Sequence, residues 1–209
     1  VQVAAVNDVP VGLAEVISSA EDTTLLVNQA ALLANDTDAD VATDGQTLSV
    51  SAVSNASNGT VSILGNGQVQ FIPTANYSGT ASFDYVVSDG HGGTATTTAT
   101  VLVGSTDDAP VASGETVNSQ EDQVVTLTAA ALLANETDID NTVSSLSISR
   151  VTAGAGGSAV LNASGNVVFT PNANFSGTAS FTYWVKDPDG MESNPATVTL
   201  NVAAVNDSP

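Results

Sequence analysis

The side chains in this sequence that could do chemistry are carboxylates, and they come in groups: Glu21-Asp22, then Asp36, Asp38 and Asp40 on alternate positions, and a separate Asp89. Asp107-Asp108, Asp138 with Asp140, and Asp187 repeat the arrangement further on. Carboxylates crowded without counter-charge repel one another and raise the free energy of the folded chain. The chain holds 22 Asp and Glu against only Arg150 and Lys186, a formal net charge of −20, so salt bridges cannot compensate. A hard divalent cation can. Calcium takes about six to eight oxygens from carboxylates, amides and backbone carbonyls. With no Cys and a single His, the donors favour Ca²⁺ over zinc or copper.

The same charge balance excludes partners. Neutralising phosphate needs Lys and Arg, so no nucleic acid is expected, and anionic membrane surfaces are disfavoured for the same reason. No run of 18 apolar residues exists, so no membrane insertion by this segment is expected. Disulfide stapling is excluded by the lack of Cys. The chain shows no signal peptide, and Val1 opens inside what proves to be a linker, as expected of an excised fragment.

The elements that must position the acids emerge from an internal repeat. Val6-Asn7-Asp8-Val9-Pro10 recurs as Thr106-Asp107-Asp108-Ala109-Pro110 and again as Val205-Asn206-Asp207-Ser208-Pro209. Ala30 to Asp40 matches Ala130 to Asp140, and Asn76 to Phe83 matches Asn174 to Phe181. The spacing of roughly 100 residues is one sandwich-sized unit, giving two domains over 1–104 and 105–209. The first reads as strands near 11–18, 23–28, 47–54, 59–64, 67–73, 80–88 and 94–103. Phe83, Tyr85 and Val87 should face inward, with Ser82 and Asp84 outward, and Asn66-Gly67 should supply a hairpin turn. Only Ala30 to Leu33 and its twin are expected to form a helical turn. About seven short strands per copy with turn signals between them make the chain all-β, two tandem β-sandwich domains.

On this strand map only Glu15, Asp84 and Glu115 lie on strands; every other acid sits in a connection. If strands alternate in direction, Asp36, Asp38, Asp40 and Asp89 share the N-terminal end of copy one with Asn7-Asp8. Glu21-Asp22 lies at the opposite end, beside the exit to Asp107-Asp108. Three groups are then expected to converge where the copies meet: Glu21 and Asp22, Asp107 and Asp108, and Asp138, Asp140 and Asp187.

The order Glu-Asp, N-D-x-D-x-D, S-D-G and N-D-x-P, met twice over essentially the whole chain, resembles the bacterial cadherin-like tandem repeats of giant RTX-type surface adhesins, also labelled VCBS or Ig-like. The resemblance implies Greek-key sandwiches of cadherin/Ig-like type whose linker calciums stiffen a rod at the bacterial cell surface, outside the cell. It implies partners in calcium ions and neighbouring repeats of the same chain, with a surface or glycan ligand gripped elsewhere in the parent protein, in cell adhesion or biofilm formation. Carried over to this sequence, it implicates Glu21, Asp22, Asp107, Asp108, Asp138, Asp140 and Asp187 at the central junction. It also implicates Asn7, Asp8, Asp36, Asp38, Asp40 and Asp89 at the N-terminal half-site, and Glu121, Asp122, Asn206 and Asp207 at the C-terminal one. Copy two departs in three places: Glu136 replaces Asp36, two residues are missing before Leu146, and Ser88-Asp89-Gly90 becomes Lys186-Asp187-Pro188-Asp189-Gly190, where Asp189 is the substitute for Asp187.

Other chemistries fit less well. Counted from Asp36, an EF-hand would need Gly where Val41 stands and Glu where Thr47 stands. His91 has Asp189 as its counterpart, and neither belongs to a nucleophile–base pair, so an enzyme is not expected. The carboxylate pairs recur in both copies at domain ends, not in one cleft as glycoside hydrolysis would need. Trp184 is out of phase with Tyr183 and Val185 and should point outward, covering a neighbouring strand; stacking on a sugar is the alternative. The rival function is therefore a carbohydrate-binding or homophilic adhesive module of a secreted protein.

Overall fold

The computed structural model describes residues 6–41 and 45–206 and divides the chain into two compact units, 1–106 and 107–209. In unit 1 the strands are β1 (Glu15–Ala20), β2 (Leu25–Val27), β3 (Ser49–Ser57), β4 (Gly59–Ile63), β5 (Val69–Pro73), β6 (Gly79–Ser88) and β7 (Thr94–Gly104), with a single helical turn, α1 (Gln29–Leu32). Unit 2 repeats them as β8 (Glu115–Gln120), β9 (Val125–Leu127), β10 (Ser147–Ala153), β11 (Gly157–Leu161), β12 (Val167–Pro171), β13 (Gly177–Lys186) and β14 (Ala196–Ala203), with α2 at Ala129–Leu132. A 3₁₀ turn at Val143–Ser145 was not expected. It falls in the connection that is two residues shorter in copy two, where the chain winds tightly before Leu146.

Unit 1 is a sandwich of one sheet ordered β1-β7-β6-β3 on another ordered β2-β5-β4; unit 2 has β8-β14-β13-β10 on β9-β12-β11. All pairs are antiparallel except β1 with β7 and β8 with β14, which run parallel. That exception is what strict alternation demands, since the first and seventh strands then point the same way. The first strand starts four residues later than the sequence suggests, at Glu15; Val11 makes only an isolated bridge to Thr37. That bridge ties the incoming chain to the acidic loop and not to the sheet.

Period-two patterning builds the core. On β6, Ala81, Phe83, Tyr85 and Val87 are buried and their neighbours are not. Phe83 meets Phe71 from the facing sheet with ring centroids 5.8 Å apart, and Phe181 meets Phe169 at 6.1 Å in unit 2. Burying an aromatic of this size contributes about 1.5–3 kcal/mol, which makes the paired rings the main anchor between sheets. The Asn66-Gly67 hairpin forms as expected: Leu64 N–H donates to Gln68 O at 2.8 Å, and Gly67 takes φ +84°. Each core tyrosine then reaches the loops. Tyr85 O–H meets the Leu32 and Leu13 carbonyls at 2.9 and 3.1 Å, so the floor of the acidic loop hangs on a core side chain.

Candidate functional site

In unit 1 the connection after α1 carries Asp36, Asp38 and Asp40, and the β6–β7 turn carries Asp89. Backbone amides clamp each of them. Asp36 Oδ1 accepts from Leu13 N at 2.7 Å and Asp38 Oδ1 from Asp40 N at 2.8 Å. Asp40 Oδ2 accepts from Asp8 N at 2.7 Å, and Asp89 Oδ1 from His91 N and Gly93 N at 2.7 and 3.0 Å. Asn7 closes the group by donating its amide to Asp89 Oδ2 at 2.8 Å. The structure thus brings Asn7, Asp8, Asp40 and Asp89 together. Gly93 is required there: a Cβ would stand 2.1 Å from Asp89 Oδ2 and 3.1 Å from the Asp8 carbonyl. His91 is a turn residue whose Nδ1 lies 3.2 Å from Asp89 O.

Unit 2 has the same frame. Asp140 Oδ2 accepts from Asp108 N at 2.9 Å. Asp138 Oδ1 accepts from Asp140 N and Asn141 N at 2.9 and 2.8 Å, and Asp187 Oδ1 from Gly190 N and Met191 N at 2.5 and 2.9 Å. Asp187 is buried at 3% exposure while Asp189 is exposed. Asn7 is replaced by Asp107, and the electrostatics change with it. Burial, followed by the charges of Asp187, Asp189, Asp140 and Asp138, pushes the Asp107 carboxyl above its ordinary range. The Asn7 amide, helped by the His91 and Gly93 amides, holds Asp89 below it.

The second oxygens decide what these loops can do. Asp36 Oδ2 and Asp38 Oδ2 in unit 1, and Asp138 Oδ2 and Asp187 Oδ2 in unit 2, are buried with no hydrogen-bond partner among the described residues. Buried polar atoms are ordinarily paired, and an unpaired carboxylate oxygen is an expensive exception. A pattern of one oxygen clamped by the loop and the other left over suits a hard cation taking oxygen ligands. Among the described residues no group of three or more Asp, Glu, His or Cys stands close enough together to hold a metal ion as placed. Glu136, in place of Asp36, is different: it accepts from Ser113 N at 2.7 Å as Asp36 does from Leu13 N, but its other oxygen meets Tyr183 O–H, leaving neither oxygen unpaired.

The opposite ends behave less uniformly. Glu21, buried, accepts from Thr106 N through Oε1 at 2.5 Å; Glu121 accepts from Val205 N at 2.6 Å. Asp22 and Asp122 point elsewhere. Both take a left-handed backbone, φ +52° and +59°, and accept from Asn76 N and Asn174 N at 3.0 Å each, pinning the β5–β6 and β12–β13 loops. Asn206 is exposed, and Asp207 lies outside the described residues. One residue that sequence reasoning passed over is Gln46, 7% exposed, which donates to Asn7 Oδ1 at 2.8 Å. Its signal was a lone long amide in a segment that copy two lacks in part. Trp184 lies under Arg150: the guanidinium carbon is 3.6 Å from the ring centroid, and Arg150 Nε donates to Glu192 Oε2 at 3.2 Å.

The family described as Cadherin-like domain matches residues 6–104 and, a second time, 106–203. This chain belongs to the cadherin-like domain family. Cadherin-like domains generally bind Ca²⁺ and are typically extracellular. None of the curated proteins matches the chain significantly. Among solved structures, protocadherin gamma B7 extracellular cadherin domains 1–4 is similar at 16% identity over 93% of this chain and 50% of that one, TM-score 0.46. Human mucin-like protocadherin EC1-2 is similar at 16% identity over 94% and 98%, TM-score 0.42. The endo-fucoidan hydrolase MfFcnA4 of glycoside hydrolase family 107 is similar at 19% identity over 95% of this chain, TM-score 0.35; the cadherin-like pair spans 29% of that protein. Among the described residues no helix is long and apolar enough to cross a membrane.

Proposed function

We propose that this cadherin-like pair is a calcium-binding spacer of a bacterial extracellular adhesin, a non-catalytic piece of rod serving cell adhesion or biofilm formation. The observation that carries the reading is the set of buried, unpartnered second oxygens on Asp36, Asp38, Asp138 and Asp187. In unit 1 the ligands would come from Asn7, Asp8, Asp36, Asp38, Asp40 and Asp89. In unit 2 they would come from Asp107, Asp108, Asp138, Asp140 and Asp187. Bound calcium supplies the positive charge that these loops lack.

The chain's own residues set the rest. Glu21 fixes the Thr106 amide, the residue just before Asp107, so the exit from one copy is anchored where the linker acids begin. Glu21 would share the junction's cations with the second copy's loops, and Glu121, Asn206 and Asp207 would do so for a following repeat. Shared ions would turn a hinge into a rigid joint. Equilibrium dialysis against millimolar calcium should retain metal on the purified chain, and small-angle scattering should give a longer maximum dimension with calcium than with chelator. A chain that stays metal-free would sink the proposal, and an unchanged dimension would remove the stiffening.

A further inference from the structure

Gln46 carries an oxygen that has no hydrogen-bond partner among the described residues. Its side chain is more than nine-tenths buried, yet Oε1 makes no hydrogen bond. It lines one open cleft with Asp36 and Asp38, whose Oδ2 atoms are unpartnered as well. The orientation of the amide is fixed by a short relay. The Asp89 carboxylate can only accept, so Asn7 must turn its NH₂ toward it; the Asn7 oxygen then faces Gln46, which must donate. Gln46 Oε1 is left over, in a residue that lines the cleft. Unit 2 has no such relay: Asp107 stands in place of Asn7, and Ser144, exposed, stands in place of Gln46 when Leu48 is aligned with Leu146.

We propose that the side-chain oxygen of Gln46 is a neutral calcium ligand in unit 1, positioned through Asn7 by Asp89. This rests on the calcium-binding reading above. Unit 1 then adds two neutral side-chain amides, Asn7 and Gln46, to its five carboxylates, where unit 2, with Asp107 in place of Asn7, offers five carboxylates alone. Calcium accepts amide oxygens alongside carboxylates, which makes the addition chemically sound.

The test is a calcium chloride titration of the full chain followed by amide NMR, which reports the two units separately. His91 and Gly93 amides, which hold Asp89, report unit 1; Gly190 and Met191 amides, which hold Asp187, report unit 2. Gln46→Met keeps the side chain's length without its oxygen, and Gln46→Glu keeps an oxygen but loses the donor to Asn7. The expected result is that Gln46→Met needs about ten-fold more calcium at the unit 1 amides only, while Gln46→Glu binds at least as tightly as the wild type. Wild-type affinity in Gln46→Met overturns the proposal. So does equal weakening in both variants, because Gln46 then acts only as Asn7's prop. Unit 1 amides that stay still in the wild type while unit 2 amides shift overturn it alone; no shift in either unit overturns the calcium reading itself.

Discussion

Asp187→Asn should change sign with calcium. The substitution keeps Oδ1, which accepts from the Gly190 and Met191 amides, and replaces only the unpartnered Oδ2. It also removes the first of the like charges that push Asp107 up. In chelator, therefore, nothing that holds the fold is lost, while a buried unpaired charged oxygen becomes neutral. Unpaired buried groups cost about 1–3 kcal/mol, so the chelated unit 2 should melt no lower than wild type and up to several degrees higher. With calcium the order reverses. Extracellular sites of this kind bind with constants near ~10⁻⁴ to 10⁻³ M, and at ten times that constant a site adds about 1.4 kcal/mol. For a unit of about 100 residues that is a gain of about 5–10 °C, and Asp187→Asn should lose most of it. Calorimetric melts of both chains, with chelator and with about 10 mM calcium, give the four numbers. A variant that melts well below wild type in chelator, or that keeps the full calcium gain, refutes the reasoning.

Three further outcomes are expected. Gly93→Ala drives a methyl against Asp89 Oδ2 and should lower unit 1 stability by about 1–3 kcal/mol while abolishing its calcium gain, with unit 2 unaffected in the same calorimetric trace. Asp22→Ala loses the Asn76 bond and puts Ala in a left-handed backbone, a loss of about 1–3 kcal/mol; calcium-induced shifts at the His91 and Gly93 amides should survive, because Asp22 faces a different loop. Burial pushes the Glu115 carboxyl above its ordinary 4.5, so the folded state keeps a proton that the unfolded chain has released. Unit 2 should then lose stability as pH rises from about 4.5 through the raised value, and Glu115→Gln should flatten that slope in chelated melts taken between pH 4 and 7.

The fold was legible because its two signals are local. Alternation fixed the inward faces at Phe83, Tyr85 and Val87, and the repeat placed each strand twice, so an error in one copy was visible in the other. The ends were less legible. Val11 carries strand-like patterning, yet its partner is the loop residue Thr37, a long-range choice that no local propensity encodes. The same limit applies to the acids. Grouping marked Asp36, Asp38, Asp138 and Asp187, whereas the partner of Asp22 is an amide 54 positions away, and only folding reveals that Asn76 claims it. Gln46 was invisible for the opposite reason: it has no twin, and the repeat that exposed everything else gave it no echo. Glu136 in place of Asp36 was legible as a departure, but not that its carboxyl meets Tyr183 and so loses its resemblance to a free ligand.

The parallel pairing of β1 with β7 has a mechanical corollary. Six residues from Glu15 to Ala20 lie in register beside Ala99 to Gly104, and the parallel direction sends the chain in at one end of the unit and out at the other. Tension applied through the termini therefore runs along both strands at once. Their hydrogen bonds are loaded in shear and must break together, whereas an antiparallel pair of terminal strands would be peeled apart one bond at a time. With β8 and β14 arranged likewise over Glu115 to Gln120, a pull on the second unit would load its terminal pair in the same way.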